Sequence, residues 1–290
     1  MATENCKMKK TCLCGALLGC LASTAFSLPA ESESVRTGST LDIGYAISFW
    51  SLPIGHADYE GTLGVNAYSA KGHFETGGVI GVFWKSVVDA TVDGSIGMAS
   101  ISPAVYDSHS QNHNRPMQRV NVKFQNGDPA TFADPPYDMK RYPVSEVQKK
   151  GTVDPMSALT SIFAGINAGG DRPCGADVHV FDGRRRYDLR LTYVKDESVK
   201  LDNGVFNGTA RLCEIYYDAI AGYPQRDALA WQTSPKMFAD VVDVPAADAP
   251  NGHYIVPIKL WSVRTLGTMT VTLDSVKADG VAPTGMIAKN

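Results

Sequence analysis

The stretch Asp154–Leu189, DPMSALTSIFAGINAGGDRPCGADVHVFDGRRRYDL, carries the features from which a fold can be predicted for this chain. It predicts one short helix, then a cysteine, then a tight hairpin. The segments on either side are typical of strands and turns. No catalytic, metal-binding or nucleotide-binding motif stands out in the stretch or around it.

The helix is predicted from its two ends and from its apolar face. Asp154 can accept hydrogen bonds from the free N–H groups of the first turn, and Pro155 suits the first helical position because it has no N–H to leave unpaired. Gly169 and Gly170 are expected to end the helix, because glycine adopts the left-handed cap conformation without steric cost. The apolar face consists of Met156, Leu159, Ile162, Phe163 and Ile166. We expect it to pack against a sheet, with a cofactor or partner groove as the alternative.

The dipeptide Asp182-Gly183 between VHVF and RRRYDLRLTYV predicts a hairpin with a two-residue type I′ turn. In that register one face holds Val178, Val180, Tyr187, Leu189, Leu191 and Tyr193. The other face holds His179, Phe181, Arg184, Arg186, Asp188 and Arg190. This second face is either a solvated strand surface or an anion-binding wall. The candidate ligand-binding residues of such a wall are Arg184, Arg186, Arg190 and His179.

Residues 1–27 are typical of a secretory signal peptide. Lys7, Lys9 and Lys10 precede the apolar run TCLCGALLGCLASTAFS, which ends in small residues. The run is too short and contains too much glycine for a membrane span. We expect cleavage after Ser27 or Ala25 and therefore a periplasmic location.

The leader also permits two alternatives. Met8 is a second candidate start, because MKK is a more usual opening than the one at Met1. Leu17-Leu18-Gly19-Cys20 resembles a lipoprotein cleavage box, in which case a lipid on Cys20 would tether the protein to a membrane.

The cysteine count agrees with export. Four of the six cysteines, namely Cys6, Cys12, Cys14 and Cys20, fall inside the leader. Cys174 and Cys213 remain, and an even pair in an exported chain predicts a disulfide. Such a bond would join the loop after the helix to the strand LCEIYYDAI. A reactive thiol is the alternative.

Charge narrows the range of partners. The whole chain has a formal charge of −3, and the leader carries three lysines and one glutamate, so the mature part is left with −5. A mildly acidic chain without a lysine-rich tract argues against nucleic acid as a partner, since that binding depends on neutralising phosphates. No second apolar run is long enough to span a bilayer. No cofactor is expected.

The mature chain is expected to form one domain: a flexible lead-in at 28–41, a single β domain at 42–278 and a loose tail at 279–290. Short strands recur at roughly ten-residue intervals with turn residues between them. This pattern predicts a mainly β fold with one large curled antiparallel sheet, a β-spiral or open barrel, and one short helix. SPAVYDSHSQNHNRP is expected to be a polar loop, and the prolines of Asp128–Pro143 indicate an edge strand or surface crossing.

The histidines offer weak candidates for chemistry. His109 and His113 have the spacing with which a helix presents two metal ligands, but their segment is rich in serine and asparagine and lacks a third ligand. We therefore predict no metal site. A hydrolase with His179 or His253 as general base is an alternative that no local motif supports.

At DPMSAL, RPC and VFDGRRRYDL the chain resembles a bacterial envelope family known only as domain of unknown function 3108, over about Gly44–Asp274. The most specific positions are Asp154, Pro155, Ser157, Ala158, Cys174, Phe181, Asp182, Gly183, the arginines that follow, and Cys213. The layout is similar to the envelope integrity protein B type of alphaproteobacteria, a periplasmic β-spiral curled around a short helix and held by a disulfide. The resemblance implies a periplasmic location, a curled β fold and a link to envelope integrity, and it supplies no catalytic residues.

Three functional hypotheses follow. The first is a non-enzymatic periplasmic protein that supports envelope integrity and binds an envelope lipid, glycan or protein on a concave β surface, which the helix plugs or gates. The second is an envelope hydrolase acting on peptidoglycan or lipid. The third is a structural scaffold that binds no ligand.

Overall fold

The structure is a computed structural model that describes residues 38–78, 81, 85–166, 173–232, 236–264, 267–283 and 286. The side chains of residues 230–232 and 264 are outside this description. The predicted signal peptide, its cleavage positions and Cys20 also lie outside the described residues. Within the described part, no helix has the length and apolar character needed to cross a bilayer.

Thirteen strands form one antiparallel sheet. The strands are β1 (Ser39–Phe49), β2 (Leu52–Leu63), β3 (Ala67–Thr76), β4 (Ser86–Ile96), β5 (Ile101–Asn112), β6 (Gln118–Gln125), β7 (Asp128–Asp134), β8 (Asp177–Phe181), β9 (Arg186–Lys200), β10 (Asn207–Ala221), β11 (Met237–Pro245), β12 (His253–Arg264) and β13 (Gly267–Ala278). Their order in the sheet is β7-β6-β5-β4-β3-β2-β1-β13-β12-β11-β10-β9-β8. The predicted class, one large antiparallel sheet not closed into a barrel, is confirmed.

The topology is two meanders joined at their outer strands. Strands that are neighbours in the sheet also follow each other in the chain, except for β1 and β13, which pair antiparallel. Conversely, β7 and β8 follow each other in the chain but do not pair in the ladders of the described residues. The edge strands of the sheet are therefore β7 and β8, and Val153 forms an isolated bridge with β8. The proline-rich segment predicted as an edge does contain the edge strand β7.

Alternation of side chains places one face of the sheet inside. In β2, Tyr59 and Leu63 are buried while His56 and Asp58 face outward. In β1, Leu41 and Ile43 point to the same inner side as Tyr59. This inner face is the one that packs on the helix.

Three helices lie in the described residues: α1 (Glu146–Lys149), α2 (Pro155–Phe163) and α3 (Gln225–Gln232). Only α2 was predicted. Its cap is confirmed, because Asp154 Oδ1 accepts from the Ser157 N–H at 2.9 Å. The helix ends earlier than predicted, at Phe163, and Gly165 with φ of +65° follows the C-cap residue Ala164. The predicted stop at 169–170 lies outside the described residues.

Helix α2 lies in the hollow of the curled sheet. It contacts β3, β4 and β5 from one meander and β8 and β12 from the other, so the sheet must curl around it. Phe163 meets Tyr59 edge-on at 4.8 Å between ring centroids. Its buried side chains include Met156, Ile162 and Phe163, while Leu159 is 40 % exposed and is not part of the packed face.

The predicted disulfide is present. Cys174 and Cys213 are bonded, with 5.5 Å between their Cα atoms, and both are fully buried. The bond ties the segment after α2 to β10. It lies in a core cluster with Ala158 and Ile162 of the helix.

Three segment predictions are wrong. The stretch expected to be a polar loop contains most of β5, a twelve-residue strand. The lead-in ends sooner than residue 41, because β1 begins at Ser39. The tail is partly ordered: Asp279 accepts from Ser39 Oγ and from the Thr40 N–H, both at 2.9 Å, and Met286 forms an isolated β-bridge with Phe206.

Candidate functional site

The hairpin of β8 and β9 differs from its predicted register. Phe181 pairs with Arg186, so the loop has four residues instead of the predicted two. Asp182 Oδ1 accepts from the N–H groups of Arg184 at 2.8 Å and Arg185 at 2.6 Å. These bonds let the aspartate side chain organise the longer loop. The shift of two residues leaves the predicted division into faces unchanged.

Arg186 is buried, although its face is predicted to be either a solvated strand surface or an anion-binding wall. Its Nε donates to the Gln148 carbonyl at 3.0 Å, and its Nη1 donates to the Tyr187 carbonyl at 2.7 Å and to Asp188 Oδ1 at 2.5 Å. Phe181 on the same face is also buried, with the Lys149 ammonium above its ring. The segment around α1 therefore covers this face at the hairpin tip.

The other three candidate residues also have partners within the chain. His179 Nδ1 contacts Asp188 Oδ1 at 2.5 Å. The Arg184 guanidinium lies 5.0 Å from the centre of the Tyr137 ring. Arg190 lies over Tyr216 and approaches Asp218 Oδ2 at 3.4 Å. The four residues do not converge on one open surface, and the anion-binding wall stays a prediction.

The concave side is occupied by a hydroxyl network that fixes α2. Tyr68 Oη and Ser157 Oγ are 2.6 Å apart, and Tyr59 Oη and Thr160 Oγ1 are 2.9 Å apart. Asp154 accepts from the Ser157 hydroxyl and is fully buried. Burial raises the pKa of Asp154 to about 6, against the lowering effect of its hydrogen bonds to Ser157. Helix α2 therefore fills the hollow of the sheet.

A second buried acid lies on the outer face. Asp240 on β11 is 2 % exposed, and its Oδ1 has no hydrogen-bond partner among the described residues. Burial, and next the nearby Glu197, raise the pKa of Asp240 to about 7. Lys195 donates to Glu197 at 2.7 Å, and Lys259 is the cross-strand neighbour of Asp240.

An apolar surface lies at one end of the sheet, where the β1–β2 turn meets the end of β12 and the start of β13. We call it the tip rim and define it as Phe49, Trp50, Leu52, Val263 and Met269. The Trp50 N–H donates to the Thr268 carbonyl at 3.1 Å, and Phe49 pairs with Met269. Trp50, Leu52 and Val263 are 65 %, 63 % and 58 % exposed.

The backbone of the tip rim includes two residues in an unfavourable conformation. Trp50 and Ser51 have φ of 50° and 63°, in the region that residues other than glycine rarely adopt. Gly267 permits the close packing of the two turns, since a Cβ there would lie 2.1 Å from Trp50 Nε1. Left-handed conformations at non-glycine residues cost about 1–2 kcal/mol each and tend to occur at functional positions.

The predicted absence of a paired-histidine metal site at His109 and His113 remains untested. His109 lies on β5 and not on a helix, so the four-residue spacing has no helical meaning there. Among the described residues, a different group has ligand atoms close enough for one ion: His56, His73 and Glu75. Sequence reasoning did not find this group, because its members are brought together by strand pairing.

The tip rim was also missed, for a related reason. Trp50 lies in the β1–β2 turn and Leu52 begins β2, but the default for a tryptophan beside apolar residues is core packing. Their neighbours Val263 and Met269 are more than two hundred positions away in the chain. Only the β1–β13 pairing brings the two turns together.

The fold and these surfaces define a protein built from one curled antiparallel sheet around a buried helix. The chain belongs to the family described as "Protein of unknown function (DUF3108)", whose model matches residues 43–234. A structural comparison gives a β-barrel-like protein of the domain of unknown function DUF1849 from Brucella abortus, with 13 % identity, 83 % of this chain and 98 % of that chain covered, and a TM-score of 0.45. The comparison with curated proteins gave no match.

Proposed function

We propose that this protein is a non-enzymatic, periplasmic component of the cell envelope that binds a lipid surface through its tip rim. The observation that carries the proposal is the exposure of three large apolar side chains at one end of the sheet, Trp50 and Leu52 at the β1–β2 turn and Val263 near the end of β12. Large apolar side chains exposed as a group usually mark an interaction surface. The signal peptide predicted at 1–27 supports delivery to the envelope.

The shape of the surface favours a bilayer over an enclosed ligand. The hollow of the sheet is packed with α2, whereas the tip rim projects from the end of the sheet. Tryptophan is the side chain most suited to the interfacial zone of a membrane, because its ring is apolar and its N–H is polar. Nearby, the Lys259 ammonium lies over the Trp261 ring, where it can approach an anionic headgroup.

The backbone of the turn supports the same proposal. A glycine at Trp50 would remove left-handed strain, yet the chain carries the largest side chain there. Strain retained at an exposed position is expected where the side chain has a use outside the fold. The proposal therefore assigns that use to contact with lipid.

The test is sedimentation with vesicles of phosphatidylethanolamine and phosphatidylglycerol. We expect the wild-type protein to bind, and the double variant Trp50→Gly/Leu52→Ser to bind at least tenfold more weakly. The variant Val65→Ser/Met98→Ser serves as a matched control. It also removes two exposed apolar side chains, but from the turns at the opposite end of the sheet.

The outcomes separate the hypotheses. Equal loss in the rim variant and the control variant would show that general surface hydrophobicity causes the binding, and the tip-rim proposal would be wrong. Absence of wild-type binding would also reject it in favour of a scaffold or of a glycan or protein partner. Because Trp50→Gly relieves strain, a weaker-binding variant with unchanged or higher thermal stability cannot be explained by unfolding.

A further inference from the structure

We propose a metal site for a divalent transition ion, with Zn²⁺ as the expected occupant, on the outer face of strands β2 and β3. Its ligands are His56, His73 and Glu75, whose ligand atoms all lie within 4.8 Å of one another. The site is on the outer face at a distance from the hydroxyl network of α2. It is independent of the proposed lipid binding.

Strand register creates the site. His56 of β2 is directly opposite Glu75 of β3, and Asp58 of β2 is directly opposite His73. Directly paired residues share a face and have Cβ atoms about 4.5–5.5 Å apart, so the three ligands project side by side. His73 Nε2 is 3.9 Å from Glu75 Oε2, and the two imidazole rings are 5.6 Å apart between centroids.

A neighbouring carboxylate orients one ligand as metal sites require. His73 Nδ1 contacts Asp89 Oδ1 of β4 at 2.7 Å. With the proton on Nδ1 donated to Asp89, the lone pair of Nε2 faces Glu75. Carboxylate–histidine–metal triads use this arrangement to fix the tautomer and strengthen the ligand. It is a second observation, separate from the clustering, that points to a cation.

The charge of the surroundings also favours a cation. Asp58, Glu75 and Asp89 supply three carboxylates around the two imidazoles, and Asp58 Oδ2 is 3.9 Å from His56 Nε2. Lys85 is a positive group near the site, and its Nζ lies 3.4 Å from Glu75 Oε1. The contact of His73 Nε2 is with the other oxygen, Glu75 Oε2.

The donor set selects the class of ion. Two imidazoles and one carboxylate suit Zn²⁺, with bonds of about 2.0–2.2 Å, whereas Mg²⁺ and Ca²⁺ prefer oxygen ligands alone. A tetrahedral ion requires ligand atoms about 3.4 Å apart. The ligand side chains are partly exposed, so small rotations can close the remaining gap. The fourth position faces solvent and is open to water or to a ligand from a partner.

The experiment is a titration of chelator-treated full-length protein with ZnCl₂ by calorimetry. The chain should carry Cys6, Cys12, Cys14 and Cys20 replaced by serine, since thiols of an uncleaved leader would bind zinc themselves. We expect one saturable ion per chain, with MgCl₂ unable to compete. His73→Gln and Glu75→Gln should each weaken Zn²⁺ binding at least a hundredfold, and Asp89→Asn should weaken it about tenfold to a hundredfold.

The control is His109→Gln. His109 is on the same outer face and pairs directly with Asp89 on its other side, but it is not one of the three ligands. The affinity of the His109→Gln variant for Zn²⁺ should equal that of the parent chain. Lack of saturable binding, unchanged affinity in His73→Gln and Glu75→Gln, equal weakening in His109→Gln, or displacement of Zn²⁺ by MgCl₂ would each overturn the proposal.

Discussion

At the residue scale, Asp154 gives the fold a predictable dependence on pH. Its pKa is raised to about 6 in the folded protein because the carboxyl is buried, from an ordinary value of 3.8. The folded state therefore binds this proton more tightly than the unfolded state does. The stability linked to it is complete below pH 3.8 and is lost as the pH rises through 6, by roughly 3 kcal/mol in total.

We therefore predict that Asp154→Asn gains stability relative to wild type as the pH rises from 4 to 7. Asparagine can still cap the helix, because its side-chain oxygen accepts from the Ser157 N–H, but it does not titrate. The measurement is the free energy of unfolding in urea at several pH values. If the two proteins gave parallel curves over that range, the raised pKa of Asp154 would be refuted.

The effect of Asp240 on stability is expected at a higher pH than the effect of Asp154. Burial, with the nearby Glu197, raises the pKa of Asp240 to about 7, so its linked stability is still being lost between pH 7 and 8, where Asp154 is already mostly ionised. Relative to wild type, Asp240→Asn should therefore gain stability across pH 6–8, whereas the gain of Asp154→Asn should be nearly complete by pH 7. Thermal unfolding of both variants at pH 6, 7 and 8 checks this. A gain confined to pH below 6 in Asp240→Asn would contradict it.

At the element scale, the packing of α2 can be tested with two apolar residues of the same helix. Phe163 is 4 % exposed and meets Tyr59 edge-on, whereas Leu159 is 40 % exposed. Phe163→Ala should cost about 3–5 kcal/mol of unfolding free energy, since it leaves a cavity, and Leu159→Ala should cost less than about 1 kcal/mol. Chemical denaturation measures both. Similar costs for the two variants would mean that the helix is not packed as described.

The disulfide supports a second prediction about elements. Cys174 and Cys213 close a loop of 39 residues in sequence separation. Chain entropy assigns such a loop about 4 kcal/mol, and typical measured values are about 2–4 kcal/mol. The double variant Cys174→Ser/Cys213→Ser should lose that much stability in urea, and reductant should lower the stability of wild type but not of the variant. A variant as stable as the oxidised protein would remove the structural role assigned to the bond.

Local chemistry explains which elements could be predicted. The cap at Asp154 and Pro155 follows from side chains next to one another in the chain, and it is confirmed. The hairpin loop was predicted too short, because the Asp182 side chain binds two following N–H groups and stabilises a four-residue loop. The strand β5 was missed because its polar residues pair across the outer face instead of forming a loop.

At the scale of the whole molecule, the sheet as a class was predictable and its surfaces were not. The tip rim needs the pairing of β1 with β13, and the proposed metal site needs the register of β2 against β3. A shift of one residue in either register would send the same side chains to the other face. The residues of these sites are visible in the sequence, but the strand register that brings them together is not.

The two edges of the sheet approach each other at Gly183, in the β8–β9 loop. Its φ is +91°, and a Cβ there would lie 2.6 Å from Val120 Cγ1 of β6 and 3.2 Å from Thr131 Cγ2 of β7. The loop beside edge strand β8 thus packs against the opposite edge of the sheet. Gly183 should therefore be important for holding the two meanders together around α2.

We predict that Gly183→Ala destabilises the protein by about 2–5 kcal/mol, combining left-handed strain with overpacking against β6 and β7. Gly127 is a matched control, since its φ is +83° but a Cβ there would meet nothing within 4 Å. Gly127→Ala should then show the strain alone, about 1–2 kcal/mol. Urea unfolding of both variants measures the difference between their losses of stability. That difference is the contribution of the contact between the two edges of the sheet. Equal losses would show that the approach at Gly183 is too loose to matter and that the curl is maintained by α2 and the β1–β13 pairing alone.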